Sequence, residues 1–399
     1  MPNASCELPL GNSTNLRAAL LTGRKKTARR RRYQRLETAR KVVPGTRIAK
    51  CGWELAHGRS AQVVLAEDGT AGLAGVTRCG LRACPNCAAI KALEDFHRAA
   101  RVAQAMVAGG SMLVMTAYTM RHQASEPLQD TKGALIKTLE CMYRSRRYKA
   151  FCERYGFTGE RFYGNEITDG ANGWHFHRHE VNEAKPPHIP RDRAERRKLA
   201  DKMEHELTTI YLHELRRQGR TAERGYAVKV TLTSQHEDPE TAAAYVTKMA
   251  LEVTYRPAKQ GRRGGRSPWE LLDDASCHEL SSAQRARARA RYREFVDATK
   301  GMHWTWFSDG CAAGENGEEA PWSDEPGVPV LDISEWQWRC LRSQHRICWL
   351  LELVESVGAQ AAGDELRRWT DSARWTHRFR WKEAWEERPG GELMDEQAF

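Results

Sequence analysis

The chain has 399 residues, 40% of them hydrophobic and 29% charged, which is enough apolar material for two or three domains and too much for global disorder. No run approaches the roughly 18 consecutive apolar residues of a membrane-spanning helix, and Met1 to Leu21 lacks a secretory pattern, so the sequence predicts a cytoplasmic protein with no membrane partner. The formal net charge of +11 favours a polyanion, because clustered Lys and Arg release counterions from a phosphate backbone, but it does not separate DNA from RNA.

Residues 1–48 read as a basic arm carrying Arg24-Lys25-Lys26 and then Arg29, Arg30, Arg31 and Arg32. It is too charged and too poor in apolar residues to fold by itself, and serves either as a solvated tail or as a DNA-contacting arm. Residues 49–108 form a Cys-containing module that ends in a helix over Ala88 to Ala108. Eleven cysteines in a reducing compartment argue against a disulfide framework and draw attention to spacing. Cys84-x-x-Cys87 with Cys79 just upstream offers three thiolates, and Cys51 or His57 offers a fourth ligand for a tetrahedral structural zinc; free buried thiols are the alternative.

An α/β body follows over residues 109–310. Ser111 to Tyr118 is a short apolar run suited to a buried strand, Leu128 to Phe151 reads as a helix, and Arg161 to Thr168 as a second strand. Asp169-Gly170-Ala171-Asn172-Gly173 has hairpin turn chemistry, because Gly and Asn tolerate positive φ, so Trp174 to Val181 should return antiparallel. Arg191 to Arg217 is a charged helix, Tyr226 to Thr233 a strand, and Pro239 to Val253 a helix opened by proline and acids. The acidic, Gly- and Pro-containing stretch 311–330 is the expected linker, and the i, i+3, i+4, i+7 spacing of Ile347, Leu350, Leu351 and Val354 predicts a small helical domain over 331–399.

Alternate side chains of a strand share a face, so His175, His177 and His179 project together, as ligands of one ion must. Glu166 lies across the predicted hairpin and adds a carboxylate. Imidazole with carboxylate suits Mn, Co or Zn, and Mg when phosphate oxygens and water complete the shell. On the later helix, Tyr245 has Lys248 one turn away on the same face. Alone this tyrosine reads as a packing residue; with the histidines it reads as a nucleophile, Lys248 favouring the tyrosinate or neutralising a phosphate oxygen.

These segments resemble the HUH endonuclease superfamily and, within it, the replication initiators of rolling-circle plasmids. Leu113-Val114-Met115-Thr116 is similar to the first motif, Glu166-Ile167-Thr168 with Asn172 to His179 to the second, and Tyr245-Val246-Thr247-Lys248 to the third. Arg82 to Cys87 resembles a cysteine segment that precedes the first motif, and Trp304 to Ser308 the end of the family domain. The resemblance implies an α+β fold: an antiparallel-sheet HUH nicking domain with flanking helices, preceded by the Cys-rich module and followed by the small helical domain.

It also implies plasmid rolling-circle replication initiation by strand-specific nicking and rejoining of DNA through a 5′-phosphotyrosyl link, dependent on Mg or Mn. The implied partners are the double-strand origin, single-stranded at the nick, and a host helicase. By position, His177 and His179 are the preferred metal pair, with Glu166 as third ligand and His175 as a substitute. The chain departs from the pattern at Arg178 and Glu180, where the family has apolar residues, and at Thr241, where plasmid members can carry a glutamate; Glu240 and Glu237 are the nearest acids. A pair of His175 and His177 around Phe176 would restore an apolar middle residue. A transposase or relaxase with the same chemistry, and a non-catalytic zinc-containing DNA-binding regulator, are the alternatives.

Overall fold

The computed structural model describes residues 24–233, 244, 250, 265–313 and 327–386, with the backbone alone for 24–26 and 373–386. The protein is α+β, with antiparallel sheets and flanking helices. The chain divides into two units. The described part of one lies within Arg32–Ala49 and Cys79–Ala320, and that of the other within Ser13–Arg31, Lys50–Arg78 and Pro321–Phe399. No helix among the described residues is long and apolar enough to cross a membrane.

The larger unit is built on five antiparallel strands: β3 (Met112–Tyr118), β4 (Phe157–Gly170), β5 (Gly173–Ala184), β6 (Val228–Thr233) and β7 (Thr305–Phe307), in the order β6-β3-β5-β4-β7. Strands β4 and β5 make the predicted hairpin, closed by the pair Gly170 and Gly173, and both run further than the sequence suggests. Gly173 at φ +85° supplies the left-handed conformation that the turn needs. The central strand β5 is buried along both faces for much of its length, and β3 and β4 pair with its two edges.

Helix α2 (Pro85–Ala108) precedes β3, its proline in the first turn where no N–H partner is needed. The single helix expected over Leu128 to Phe151 is two, α3 (Leu128–Arg144) and α4 (Arg146–Tyr155). Ser145 between them is extended, at φ −71° and ψ 144°, and its hydroxyl caps α4 by accepting from the Tyr148 N–H. Asp192 caps α5 (Arg193–Arg217) by accepting from the Ala194 and Glu195 N–H groups. Helices α6 (Glu270–Ser276) and α7 (Ser282–Ala298) follow, α7 opening on a capping box of Ser281 and Gln284. Between α6, α7 and the hairpin, Trp269, Phe295 and Trp174 pack as one aromatic group.

The smaller unit corrects the expected domain plan. Strands β1 (Ala61–Leu65) and β2 (Ala71–Ala74), from the segment read as the Cys-rich module, form a three-stranded sheet with β8 (Val328–Ile333), which lies in the expected linker and helical domain. The C-terminal part is therefore a sheet with helices α8 (Glu335–Ser343), α9 (Ile347–Val357) and α10 (Ala359–Glu386), rather than helices alone. Trp338 is fully buried and donates its indole N–H to the Trp53 carbonyl at 3.2 Å.

The basic arm is also corrected: Arg24–Val42 is helical. Two of its four candidate DNA-binding arginines have carboxylate partners on α9, Arg29 with Glu355 at 2.5 Å and Arg30 with Glu352 at 2.5 Å. Arg31 is exposed and Arg32 half-buried. The four arginines thus lie on a helix, where charge neutralisation supplies what the apolar content does not.

Candidate metal centre

Hairpin register places the candidate ligands. Glu166 stands directly opposite His177, with Thr168 opposite His175 and Gly164 opposite His179, all on one face. Directly opposed antiparallel residues bring their side chains within reach of one another, and the small Gly164 leaves room beside His179. The Glu166 Oε2 lies 2.7 Å from His177 Nε2 and 3.3 Å from His179 Nε2. One donor atom from each of the three residues falls within a group no wider than 4.8 Å. Glu166 and His179 are buried, at 6% and 7% exposure, and the His177 side chain is at 14%.

The donor set fits a divalent cation. One carboxylate oxygen faces two imidazole nitrogens, a combination that Mn, Zn or Mg accepts. The His177 Nδ1 is buried with no hydrogen-bond partner among the described residues. A neutral histidine carries one N–H, so a Nε2–H donated to Glu166 leaves Nδ1 as a buried acceptor without a donor. Ligation through Nε2 reverses that tautomer and puts the proton on Nδ1.

His175 is on the same face and in the same row, its ring 4.7 Å from His177, but it is engaged elsewhere. Its Nε2 sits 2.8 Å from the Thr119 hydroxyl, and its ring lies 5.2 Å from that of His122. Burial, then the neighbouring His177 and His122, lower its pKa to about 3, so it stays a neutral partner of Thr119. Of the two histidine pairings left open by the sequence, the geometry gathers His177 and His179. Thr119 and His122 carry no motif and were not singled out; only their closeness to the end of β3 could have suggested them.

The opposite face of β5 explains the two departures from apolar residues. Arg178 and Glu180 are buried, at 5% and 0% exposure, so the strand is covered there despite its two charged residues, which have polar partners. Arg178 Nε donates to Asn165 Oδ1 at 2.9 Å, and its guanidinium lies 3.9 Å from the Tyr163 ring centroid. Asn165 in turn donates to the His303 carbonyl at 2.7 Å. The Glu180 carboxylate accepts from the Tyr143 hydroxyl, from Asn182 Nδ2 at 2.9 Å and from Arg161 at 3.4 Å. A buried carboxylate persists only when its charge is offset and its lone pairs are filled. Burial, and after it the Glu180 charge, push the Tyr143 phenol well above its usual range, which keeps that phenol a donor.

A second cluster is made of thiols. Cys79, Cys84 and Cys87 of the larger unit are buried, and their sulfur atoms lie within 4.8 Å of one another; Cys51 is buried and belongs to the smaller unit. The Cys79 and Cys87 sulfurs are 3.7 Å apart. Pro85 starts α2 immediately after Cys84, so Cys84 and Cys87 share the first turn of that helix. Three converging thiols at such separations suit three of the ligands of a tetrahedral metal ion.

Tyr245 and Lys248 lie outside the described residues, as do Glu237, Glu240 and Thr241. Comparison of the chain with protein-family models, with curated proteins and with solved structures returned no match.

Proposed function

We propose that the protein is a metal-dependent DNA strand nickase and transferase of the HUH type, acting as the initiator of rolling-circle plasmid replication. The observation that carries the reading is the Glu166, His177 and His179 group on adjacent antiparallel strands. The order of Thr116, Glu166, the histidines, Tyr245 and Lys248 along the chain supports it. In this reading the central sheet is the HUH sheet, and Glu166, His177 and His179 hold Mg or Mn. The cation supplies Lewis-acid stabilisation of charge on the scissile phosphate.

The chain's own residues do the rest. The Tyr245 oxygen attacks phosphorus, a Tyr–O–P bond forms and the bond from phosphorus to the 3′ oxygen breaks. The departing 3′ oxygen takes up a proton, and the Tyr245 proton passes to solvent. Lys248 neutralises a phosphate oxygen or favours the tyrosinate. The 5′-phosphotyrosyl diester keeps the energy of the original bond for rejoining. Arg178 and Glu180, each fixed by the polar network beneath, hold the backbone of β5 so that His177 and His179 keep their geometry.

Labelled single-stranded fragments tiling the replicon that encodes the chain test this reading. With Mg or Mn, one fragment should give a covalent protein–DNA adduct that Tyr245→Phe abolishes; the same adduct in that variant, or none from any fragment, overturns it. Cys79, Cys84 and Cys87 are read as ligands of a structural zinc. Elemental analysis of protein purified without chelator should find zinc near one ion per chain, falling in Cys84→Ser. Zinc-free wild-type protein would remove that assignment.

A further inference from the structure

Beside the histidine row is a cleft of about 460 Å³ that the metal chemistry does not use. His122 lines it and is the link. Its ring lies 5.2 Å from His175, which lies 4.7 Å from His177, which lies 4.9 Å from His179. Four imidazoles thus run in an unbroken row from the metal face to the wall of the cleft. The His122 Nδ1 is anchored 2.8 Å from the Asn172 carbonyl in the hairpin turn, so the row's end is fixed to the strand pair that carries Glu166. Gly173 secures the same joint, because a side chain there would meet the Gln123 carbonyl at 2.8 Å.

The chemistry of the lining selects a class of ligand. Glu126 is paired with Arg220, which removes one charge of each sign. What remains is one exposed guanidinium, Arg121, and one exposed carboxylate, Asp130, with the exposed Gln123 amide near them. Among the described residues, the side chains of these three make no hydrogen bond or ion pair. A groove built for phosphates alone would carry an excess of cations. A charge-balanced cleft with both a free donor and a free acceptor in its lining matches the edge of an unpaired nucleobase, which presents both. An imidazole wall adds a surface for a base to lie against.

We propose that this cleft is a nucleobase subsite: it takes one unpaired base of the single strand close to the scissile phosphate and reads it with Arg121 and Asp130. The inference rests on the nickase reading for the presence of a single strand, and it names where part of the sequence choice is made. Arg121 donates to an acceptor atom of the base and Asp130 accepts from its amino or imino group; the four bases set these groups in different orders along their edges, so the pair decides which base is taken. The base lies against His122, the member of the histidine row that lines the cleft.

Selection from a randomised single-stranded DNA pool, with neither Mg nor Mn added and no chelator present so that the zinc is kept, tests the subsite. The wild-type chain should enrich one base at a defined position, and Arg121→Ala and Asp130→Ala should each flatten that position by about tenfold while the other selected positions keep their preferences. Both side chains are exposed, so neither change disturbs the core. Preferences that stay unchanged in both variants, or fall equally at every position, overturn the subsite and leave the nickase reading standing. A wild-type chain that enriches nothing overturns the reading of single-stranded DNA as the ligand and the subsite with it.

Discussion

Three imidazoles on one face of a strand do not act alike, because each meets a different neighbour across the sheet. His177 faces Glu166, His179 faces a glycine and still reaches Glu166, and His175 faces Thr168 and bonds Thr119. The shared face was legible in the sequence from period two alone; the division of labour was not, because it depends on residues outside the motif. Thr119 and His122 lie more than fifty residues away in the chain. Arg178 and Glu180 were legible as departures, but their partners Asn165, Tyr163, Tyr143 and Arg161 became evident only once β4 and α3 were placed.

Another carboxylate on β5 gives a pH signature. Burial raises the Glu183 pKa, but hydrogen bonds from Ser111 at 2.6 Å and Thr158 at 2.8 Å, with Lys185 at 3.4 Å, outweigh that and leave it below 4.5. A carboxylate depressed in the folded state contributes stability above its unfolded value and loses it as pH falls through the folded one. Urea midpoints should therefore decline below about pH 4.5, and Glu183→Gln should show less of that decline while being less stable at neutral pH. Equal slopes in the two proteins would refute the assignment of this dependence to Glu183.

At the scale of elements, the β4–β5 hairpin was the most legible part of the chain, since its turn residues and its alternation agree. What escaped the sequence were pairings without local signals. The strand β1 is five residues long and finds β8 more than 260 residues later, a match that no window of sequence contains. Ser145 split a helix because its side chain competes for backbone N–H groups. The hairpin itself makes a prediction: Gly173→Ala combines φ +85° with a Cβ 2.8 Å from the Gln123 carbonyl. It should cost about 1–3 kcal/mol, read as a lower urea midpoint. A neutral effect would mean that the turn and the 123–124 loop yield easily.

At the scale of the molecule, the division into units follows the sheets and cuts across the boundaries read from composition. The α+β class was legible because the elements of the larger unit carry strong local patterns. The smaller unit was not, because residues 50–78 and those after 321 join through strands. Arg29 and Arg30, read from charge alone as free to meet a polyanion, face Glu355 and Glu352, so net charge identified an excess of cations without locating it.

The central claim is that Glu166, His177 and His179 bind a divalent cation. Titration of Mn(II) followed by electron paramagnetic resonance reads it directly. Wild-type protein and His175→Asn should bind one ion at this site with similar affinity, and Glu166→Ala and His177→Ala should each weaken it by about tenfold or more. Absence of saturable binding in the wild type, or binding that survives both substitutions unchanged, would contradict it.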